Sequence, residues 1–141
     1  MSDDLSADQI RALSDFRYSV RRFQQFSDSA ARAAGLEPRQ HQMLLAVKAS
    51  DDEAMTIGEI AERLLIRHHS AVELVRRTEG RNLVTRTRGE QDRRQVFVRL
   101  TPLGEEALSA LSASHHRELQ SAAPDLIRSL QRIIADGRAG D

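Results

Sequence analysis

The order of patterns between Thr56 and Thr101 constrains the fold of this chain more than any other feature of its sequence. Two amphipathic segments flank a break at residues 65–67, and two alternating apolar segments follow on either side of a polar stretch that contains Gly89. Apolar residues spaced three and four positions apart predict helices. Apolar residues that alternate with polar ones on both sides of a polar, glycine-containing turn predict a β-hairpin. Helix, turn, helix and hairpin in this order predict a winged helix-turn-helix.

The ends of these elements carry their own signals. Thr56 and Glu59 fit a capping box, in which each residue satisfies a backbone N–H of the other and so starts a helix. The predicted boundaries are a first helix from Thr56, a second from His68 or His69 to residues 80–82, strands at 83–87 and 95–101, and a hairpin tip at 88–94.

Long helical patterns flank this central segment. The first runs from Ser6, which with Gln9 resembles a capping box, to about Ala34, and a shorter buried helix opens at Glu37-Pro38. Another long helix is predicted from Pro102 to about Ala123, where Pro124 should break it before a last helix over 125–135. The first helix is too long to bury its whole apolar stripe on a small domain, which favours a partner chain over an ordinary core helix.

These patterns together predict a mainly α-helical fold with a small β-wing. At 141 residues the chain has the length of one domain with its own hydrophobic core. We expect a single domain over 1–141, with a winged helix-turn-helix lobe at 36–101 and dimerisation helices at 5–34 and 102–138.

Charge is unevenly distributed, although the formal net charge is zero. Between Arg63 and Arg99 there are ten arginines against four acidic residues, while the rest of the chain has eleven basic against seventeen acidic residues. A basic surface on an acidic body is the electrostatic signature of a nucleic-acid-binding protein.

Several classes of protein are disfavoured by composition. Cys is absent, which removes disulfides, thiol catalysis and cysteine redox sensing, and the absence of Trp with few aromatic residues disfavours an RNA base-stacking surface. No apolar run is long enough for a membrane span, and the acidic N-terminus does not resemble a signal peptide, so a cytoplasmic location is expected. No nucleophile–base pair, phosphate loop or metal-ligand spacing is evident, so we expect neither an enzyme nor a bound cofactor. His115 and His116 are adjacent and face different directions of a helix, which disfavours a metal site there.

Candidate DNA contacts lie on the second helix of the helix-turn-helix and on the wing. The second helix of this motif enters the major groove, and a wing places arginines along the minor groove. Asp92 is expected to pair with Arg94 and orient it, since a carboxylate has no favourable contact with phosphate. The alternative for the helix is a merely solvated face. The predicted contacts are His68, His69, Ser70, Glu73, Arg76 and Arg77 on the helix, and Arg88, Arg93 and Arg94 on the wing.

Nearly the whole chain resembles the MarR (multiple antibiotic resistance regulator) family. The resemblance rests on the order and spacing of Gly58-Glu-Ile-Ala-Glu-Arg-Leu, Ser70-Ala-Val-Glu-Leu-Val-Arg-Arg, Leu83-Val-Thr-Arg, Asp92-Arg-Arg and Val98-Arg-Leu-Thr-Pro-Leu-Gly. It implies a homodimer that binds double-stranded DNA at a pseudo-palindromic operator, usually as a repressor released by a small aromatic or phenolic ligand. By the same analogy, Phe16, Arg17, Val20 and His41 would line the effector pocket, although nothing else in the sequence distinguishes them from structural residues.

Two residues depart from the family pattern. Thr78 stands where an apolar residue is usual, which predicts a packing loss of about 1 kcal/mol or more relative to leucine. Asn82 stands where glycine is usual, a mild change because Asn tolerates the left-handed backbone of a helix end. Thr78 is also the one feature that favours the alternative function, an interaction protein that has kept the fold but lost specific DNA binding. The target genes, the direction of regulation and the effector are not specified by the sequence.

Overall fold

A computed structural model of the protein describes residues 4–138, so residues 1–3 of the acidic N-terminus and 139–141 of the polar tail lie outside the described part. Within it the fold is mainly α-helical with one small antiparallel sheet. The elements are α1 (Ala7–Ala33), α2 (Pro38–Ala49), a short 3-10 turn (Asp51–Glu53), β1 (Met55–Thr56), α3 (Ile57–Leu64), α4 (His68–Gly80), β2 (Val84–Arg88), β3 (Val96–Leu100) and α5 (Pro102–Arg138).

The chain divides into two compact units. Residues 30–112 form the central unit, and the described residues up to 29 together with those from 113 to 138 form the terminal-helix unit. The long helices α1 and α5 each begin in one unit and end in the other.

The central unit is organised around one hydrophobic core. Its three-stranded sheet has the order β1-β3-β2, and β3 pairs along its length with β2, from Val96 opposite Arg88 to Leu100 opposite Val84. Strand β1 was not predicted, because two residues carry no alternating pattern; it is defined by pairing of Met55 with Val98. The core is formed by side chains from α2, α3, α4 and the sheet, among them Met43, Leu44, Val47, Ile60, Ala71, Leu74, Val75, Val84 and Val98.

Helix starts follow the predicted capping residues. At the start of α1, the Ser6 hydroxyl accepts from the N–H of Gln9 at 3.1 Å, and the Gln9 side-chain oxygen accepts from the N–H of Ser6 at 2.8 Å. At α3, the Thr56 hydroxyl accepts from the N–H of Glu59 at 3.2 Å. The Glu59 carboxylate accepts from the Thr56 hydroxyl at 3.1 Å instead of from the Thr56 N–H, so one of the two bonds of the predicted capping box forms. Each cap satisfies a backbone donor that the helix itself leaves without a partner.

The prediction that Pro124 breaks the C-terminal helix is wrong, because α5 continues through it to Arg138. Proline removes one backbone N–H and crowds the carbonyl four residues earlier, but its fixed φ is compatible with a helix. The apolar steps of three and four also continue across it, through Leu119, Ala123, Leu126 and Leu130. No helix within residues 4–138 is long and apolar enough to cross a membrane.

Both departures from the family pattern are accommodated at α4. Thr78 is completely buried, and its hydroxyl donates to the Leu74 carbonyl at 2.7 Å, so its polar atom has a partner inside the core. A satisfied hydroxyl costs far less to bury than an unpaired one. Asn82 adopts φ 61°, the left-handed conformation expected for it after the end of the helix.

A close contact joins the start of α5 to the strand region. The Thr101 N–H donates to the Leu83 carbonyl at 3.0 Å, and the Thr101 hydroxyl accepts from the N–H of Gly104 at 3.1 Å. A Cβ atom on Gly104 would lie 2.1 Å from the same Leu83 oxygen. This contact explains the glycine of the segment Leu100-Thr-x-x-Gly104, since only glycine lets the start of α5 approach the Leu83 carbonyl so closely.

Candidate nucleic-acid interface

One side of α4 packs into the core and the other is open to solvent. Leu74, Val75 and Thr78 are buried, whereas His68, His69 and Glu73 are exposed and Ser70 is half-buried. The helix begins at His68 after Arg67, so its exposed first turn also presents backbone N–H groups. This open first half has the chemistry of a surface that approaches an anionic polymer.

Glu73 and Arg76 form an ion pair on the exposed side of α4. They are three residues apart in the helix, the spacing at which side chains on one face meet. The pair explains how an acidic residue can lie within a basic surface, because it restrains the Arg76 guanidinium on the open side.

Arg77, the next residue, has a different partner. Its Nη2 lies 3.0 Å from Oε2 of Glu37, the residue that immediately precedes α2. Sequence reasoning grouped Arg77 with Arg76 as a DNA contact, but the two guanidinium groups are held by carboxylates on different elements.

The wing is closed by a tight backbone turn. The N–H of Gly89 donates to the Gln95 carbonyl at 2.9 Å, and the N–H of Gln95 donates to the Asp92 carbonyl at 3.1 Å. A Cβ atom on Gly89 would lie 2.7 Å from the Asp92 carbonyl oxygen, so a side chain there would displace the tip. The hairpin therefore presents residues 90–94 as a short, defined tip.

Asp92 and Arg94 are in contact within this tip. Oδ1 of Asp92 accepts from the backbone N–H of Arg94 at 3.0 Å and lies 3.4 Å from its Nε. The Arg94 side chain is nevertheless 94% exposed, so the outer nitrogen atoms of its guanidinium remain open to a ligand. Arg88 and Arg93 are also exposed.

Other arginines of the basic segment hold the central unit together. Arg86 on β2 lies 3.2 Å from Glu79 on α4, and Arg99 on β3 donates to the Asp52 carbonyl at 2.6 Å. Arg81 donates to the Gln40 side-chain oxygen at 3.0 Å. A count of charges does not distinguish these arginines, which bind other residues of the chain, from arginines that are free to contact a ligand. The partners of Arg81 and Arg99 lie more than 40 residues away in the chain, so no local pattern identifies them.

Lys48 connects three segments of the same unit. Its Nζ lies 2.9 Å from Glu53 and 3.1 Å from Glu105. The hydrogen bond that Lys48 donates to Glu53, and then the one that it donates to Glu105, raise the pKa of Lys48 above its ordinary value. A raised lysine pKa keeps this contact intact below its ordinary pKa and weakens it only as pH rises further.

The residues proposed by analogy for an effector pocket belong to both units. Phe16 and Val20 are half-buried and Arg17 is exposed on α1 in the terminal-helix unit, whereas His41 is buried on α2 in the central unit. Their role in ligand binding stays a prediction.

His115 is buried inside the terminal-helix unit. Its Nε2 lies 2.7 Å from the Ser27 hydroxyl, and its ring packs edge-on against Phe23 and Phe26. The residues described by the structure contain no group of three or more potential metal ligands.

Comparison with protein families gives a match to the MarR family over residues 34–95. This part of the chain belongs to the MarR family. The match covers α2, the helix-turn-helix of α3 and α4, and most of the wing. The family assignment made from the order of the sequence motifs is confirmed over these residues.

A curated relative gives the same assignment. The chain is 32% identical over 98 residues to the HTH-type transcriptional regulator SarZ of Staphylococcus epidermidis, and the match covers 65% of each protein. The chain thus spans about 65% of the length of the curated relatives that it matches.

Solved structures show the same fold at low identity. AbsC, a MarR family transcriptional regulator from Streptomyces coelicolor, superposes with a TM-score of 0.77 at 21% identity, over 99% of this chain and 100% of that one. Sco3205, a MarR family transcriptional regulator from the same organism that was solved in complex with DNA, superposes with a TM-score of 0.73 at 21% identity. The match covers 96% of this chain and 91% of Sco3205. MepR of Staphylococcus aureus superposes with a TM-score of 0.71 at 19% identity, over 89% of this chain and 94% of MepR. The predicted winged helix-turn-helix fold is confirmed.

Proposed function

We propose that this MarR-family protein is a sequence-specific, DNA-binding transcriptional regulator that acts as a homodimer. The observation that carries the proposal is the presence, in one compact unit, of an open first half of α4 and an exposed arginine at the wing tip. The relative SarZ is a transcriptional regulator, and the neighbour Sco3205 was solved with DNA. The open side chains on both elements have the chemistry that such a partner requires.

Each element would take a different groove. His68, His69, Ser70 and Glu73 would face the major groove, where a carboxylate accepts from cytosine, and Arg76 would reach a neighbouring phosphate as well as guanine. Arg88, Arg93 and Arg94 would follow the adjacent minor groove, whose negative potential attracts arginine. Asp92 would orient Arg94 without contacting DNA itself.

Apolar residues exposed in the terminal-helix unit support the homodimer. On α1, Ile10, Leu13 and Tyr18 are 45–60% exposed, and on α5, Ile127, Leu130 and Ile134 are 42–59% exposed. Apolar exposure of this extent on two helices marks a surface that is covered by another molecule. A second copy is proposed because the chain resembles a family of homodimers.

Replacing two of these residues with charges should dissociate the dimer. We expect wild-type protein to sediment with twice the 15.8 kDa mass of one chain, and the Ile10→Glu/Ile127→Glu variant to shift towards the monomer mass. The matched control is Leu45→Glu, which places a charge on an exposed leucine of the central unit. Monomeric wild-type protein at high concentration would remove the homodimer from the proposal.

The finer regulatory role rests on the family resemblance. We propose that the dimer represses transcription from a pseudo-palindromic operator and is released by a small aromatic or phenolic ligand. Phe16, Arg17, Val20 and His41 are the candidate ligand contacts. Once an operator is known, release of DNA by aromatic carboxylates and phenols tests this part directly.

DNA binding is tested by fluorescence anisotropy with duplexes from the region upstream of the protein's own gene, against scrambled duplexes of equal length. At about 150 mM salt we expect a preference of about a thousandfold, the lower edge for specific DNA-binding proteins. Affinity should fall steeply with added salt, because phosphate neutralisation releases counterions.

If a selection from random duplexes also finds no preferred sequence, specific readout is absent and the interaction-protein alternative stands. Thr78 no longer favours that alternative, since it is hydrogen-bonded within a regular helix.

A further inference from the structure

The two halves of α4 differ in how they are held. The first half, from His68 to Glu73, presents exposed side chains, while the second half is tied to neighbouring elements through Arg77, Glu79 and Arg81. We infer that Arg77 and Arg81 are positioning residues, which fix the second half of α4 to the first turn of α2 and so set the angle at which its first half reads DNA. This inference rests on the proposed function and assigns Arg77 a role other than DNA contact.

The partners of both arginines lie within the same helical start. Glu37 precedes α2, and its carboxylate binds Arg77 at 3.0 Å. Oε1 of Gln40, a residue only 1% exposed, accepts from the Glu37 N–H at 3.1 Å and from Arg81 at 3.0 Å. One buried oxygen thus caps α2 and holds α4 at the same time. Because Gln40 is buried, its oxygen gives the exposed Arg81 guanidinium an acceptor in a defined position.

The anchor itself is firmly built. Gly35 adopts φ 80°, a left-handed conformation that commonly follows the end of a helix, and Leu36 is buried in the core beside it. Pro38 at the first turn of α2 further limits the backbone conformation. The tether therefore joins α4 to a rigid corner of the central unit.

A small tilt of α4 has a large effect at its reading end. Ser70 lies seven residues from Arg77, about 10 Å along the helix. A tilt of about 5° at Arg77 would shift Ser70 by about 1 Å, enough to weaken direction-dependent hydrogen bonds to base edges. Restraining the second half of α4 therefore preserves the geometry of the first half.

Glu37→Gln distinguishes a positioning role of Glu37 from a purely electrostatic one, because the two roles predict opposite changes in DNA affinity. Removing an acid from a DNA-binding unit should raise affinity if charge alone matters, and it would also release Arg77 to contact phosphate. If Glu37 positions α4 through Arg77, affinity for a preferred duplex should fall about threefold to tenfold. Binding to scrambled duplex should not fall. Glu62→Gln, which removes an exposed acid from α3, measures the general effect of charge.

Arg77→Gln and Arg76→Gln provide a second comparison on the same helix. Loss of a phosphate contact lowers the slope of log affinity against log salt by about one per contact, whereas loss of positioning lowers affinity at an unchanged slope. We expect the reduced slope for Arg76→Gln and the unchanged slope for Arg77→Gln. The double variant Glu37→Gln/Arg77→Gln should bind no worse than Arg77→Gln alone. A higher affinity of Glu37→Gln, or a reduced slope for Arg77→Gln, overturns the inference.

A measurement without DNA distinguishes this inference from the proposed function. Hydrogen exchange of the backbone amides at the end of α4 should be faster in Glu37→Gln than in wild type, and unchanged in Glu62→Gln. If wild type binds no duplex specifically, the proposed function fails while the exchange result still reports on the tether. Equal exchange rates in wild type and Glu37→Gln would overturn the tether itself.

Discussion

Gly104→Ala is expected to lower the stability of the central unit by about 3 kcal/mol, the upper part of the range for overpacking a core. The added Cβ would lie 2.1 Å from the Leu83 carbonyl oxygen and 3.0 Å from its carbon, and both are backbone atoms that cannot rotate away. Relief requires the start of α5 to move, which would break the hydrogen bond from Thr101 to Leu83. For a domain of this size, the midpoint of thermal unfolding should fall by about 10 °C.

Gly58→Ala is the matched control for this substitution. Gly58 lies in α3, and a Cβ there would meet its nearest neighbour, the Thr56 hydroxyl oxygen, at 3.9 Å, an ordinary contact. Alanine is favoured over glycine within a helix by about 0.5–1 kcal/mol, so this variant should melt slightly above wild type. Calorimetry of the three proteins compares them directly. Equal melting of the two variants would show that the α5 junction yields more easily than its geometry indicates.

The sequence predicted what is encoded locally. Capping residues at Ser6 and Thr56, the left-handed Asn82 and the Asp92–Arg94 pair each depend on neighbours within four positions of the chain. Such contacts recur wherever the same residues occur at the same spacing, so pattern reasoning recovers them. The Pro124 error arose where two local signals disagreed, since the apolar periodicity continued through a residue that normally ends a helix.

Contacts between segments that are distant in the chain could not be predicted from local sequence patterns. Gly104 was noted as part of a motif, but its reason, the backbone of Leu83, appears only once α5 and the strand are brought together. Arg77 finds Glu37 at a separation of 40 residues, and Arg99 finds Asp52 at 47. An arginine that binds DNA and one that binds a carboxylate in its own chain are identical in a charge count. The basic segment was therefore predictable as a surface, but the roles of its individual arginines were not.

Arg94→Ala is expected to reduce affinity for a preferred duplex by about tenfold to a hundredfold, the range for loss of one specific arginine contact. The Arg94 side chain is 94% exposed, so its removal leaves no cavity and should not change the melting temperature. The slope of log affinity against log salt should fall by about one for each wing bound. The control is Arg117→Ala, which removes an exposed arginine of the terminal-helix unit.

Asp92→Asn then separates the charge of Arg94 from its orientation. This variant keeps the Arg94 guanidinium and removes an acid from the DNA-binding unit, so electrostatics alone predicts tighter binding. The Asp92 carboxylate, however, holds both the backbone N–H and the Nε of Arg94. Asparagine keeps one neutral acceptor and loses the charge-assisted bond, which should leave the Arg94 side chain less ordered. We expect weaker binding at an unchanged salt slope. Tighter binding would mean that the wing acts through its charge alone and that Asp92 merely shapes the turn.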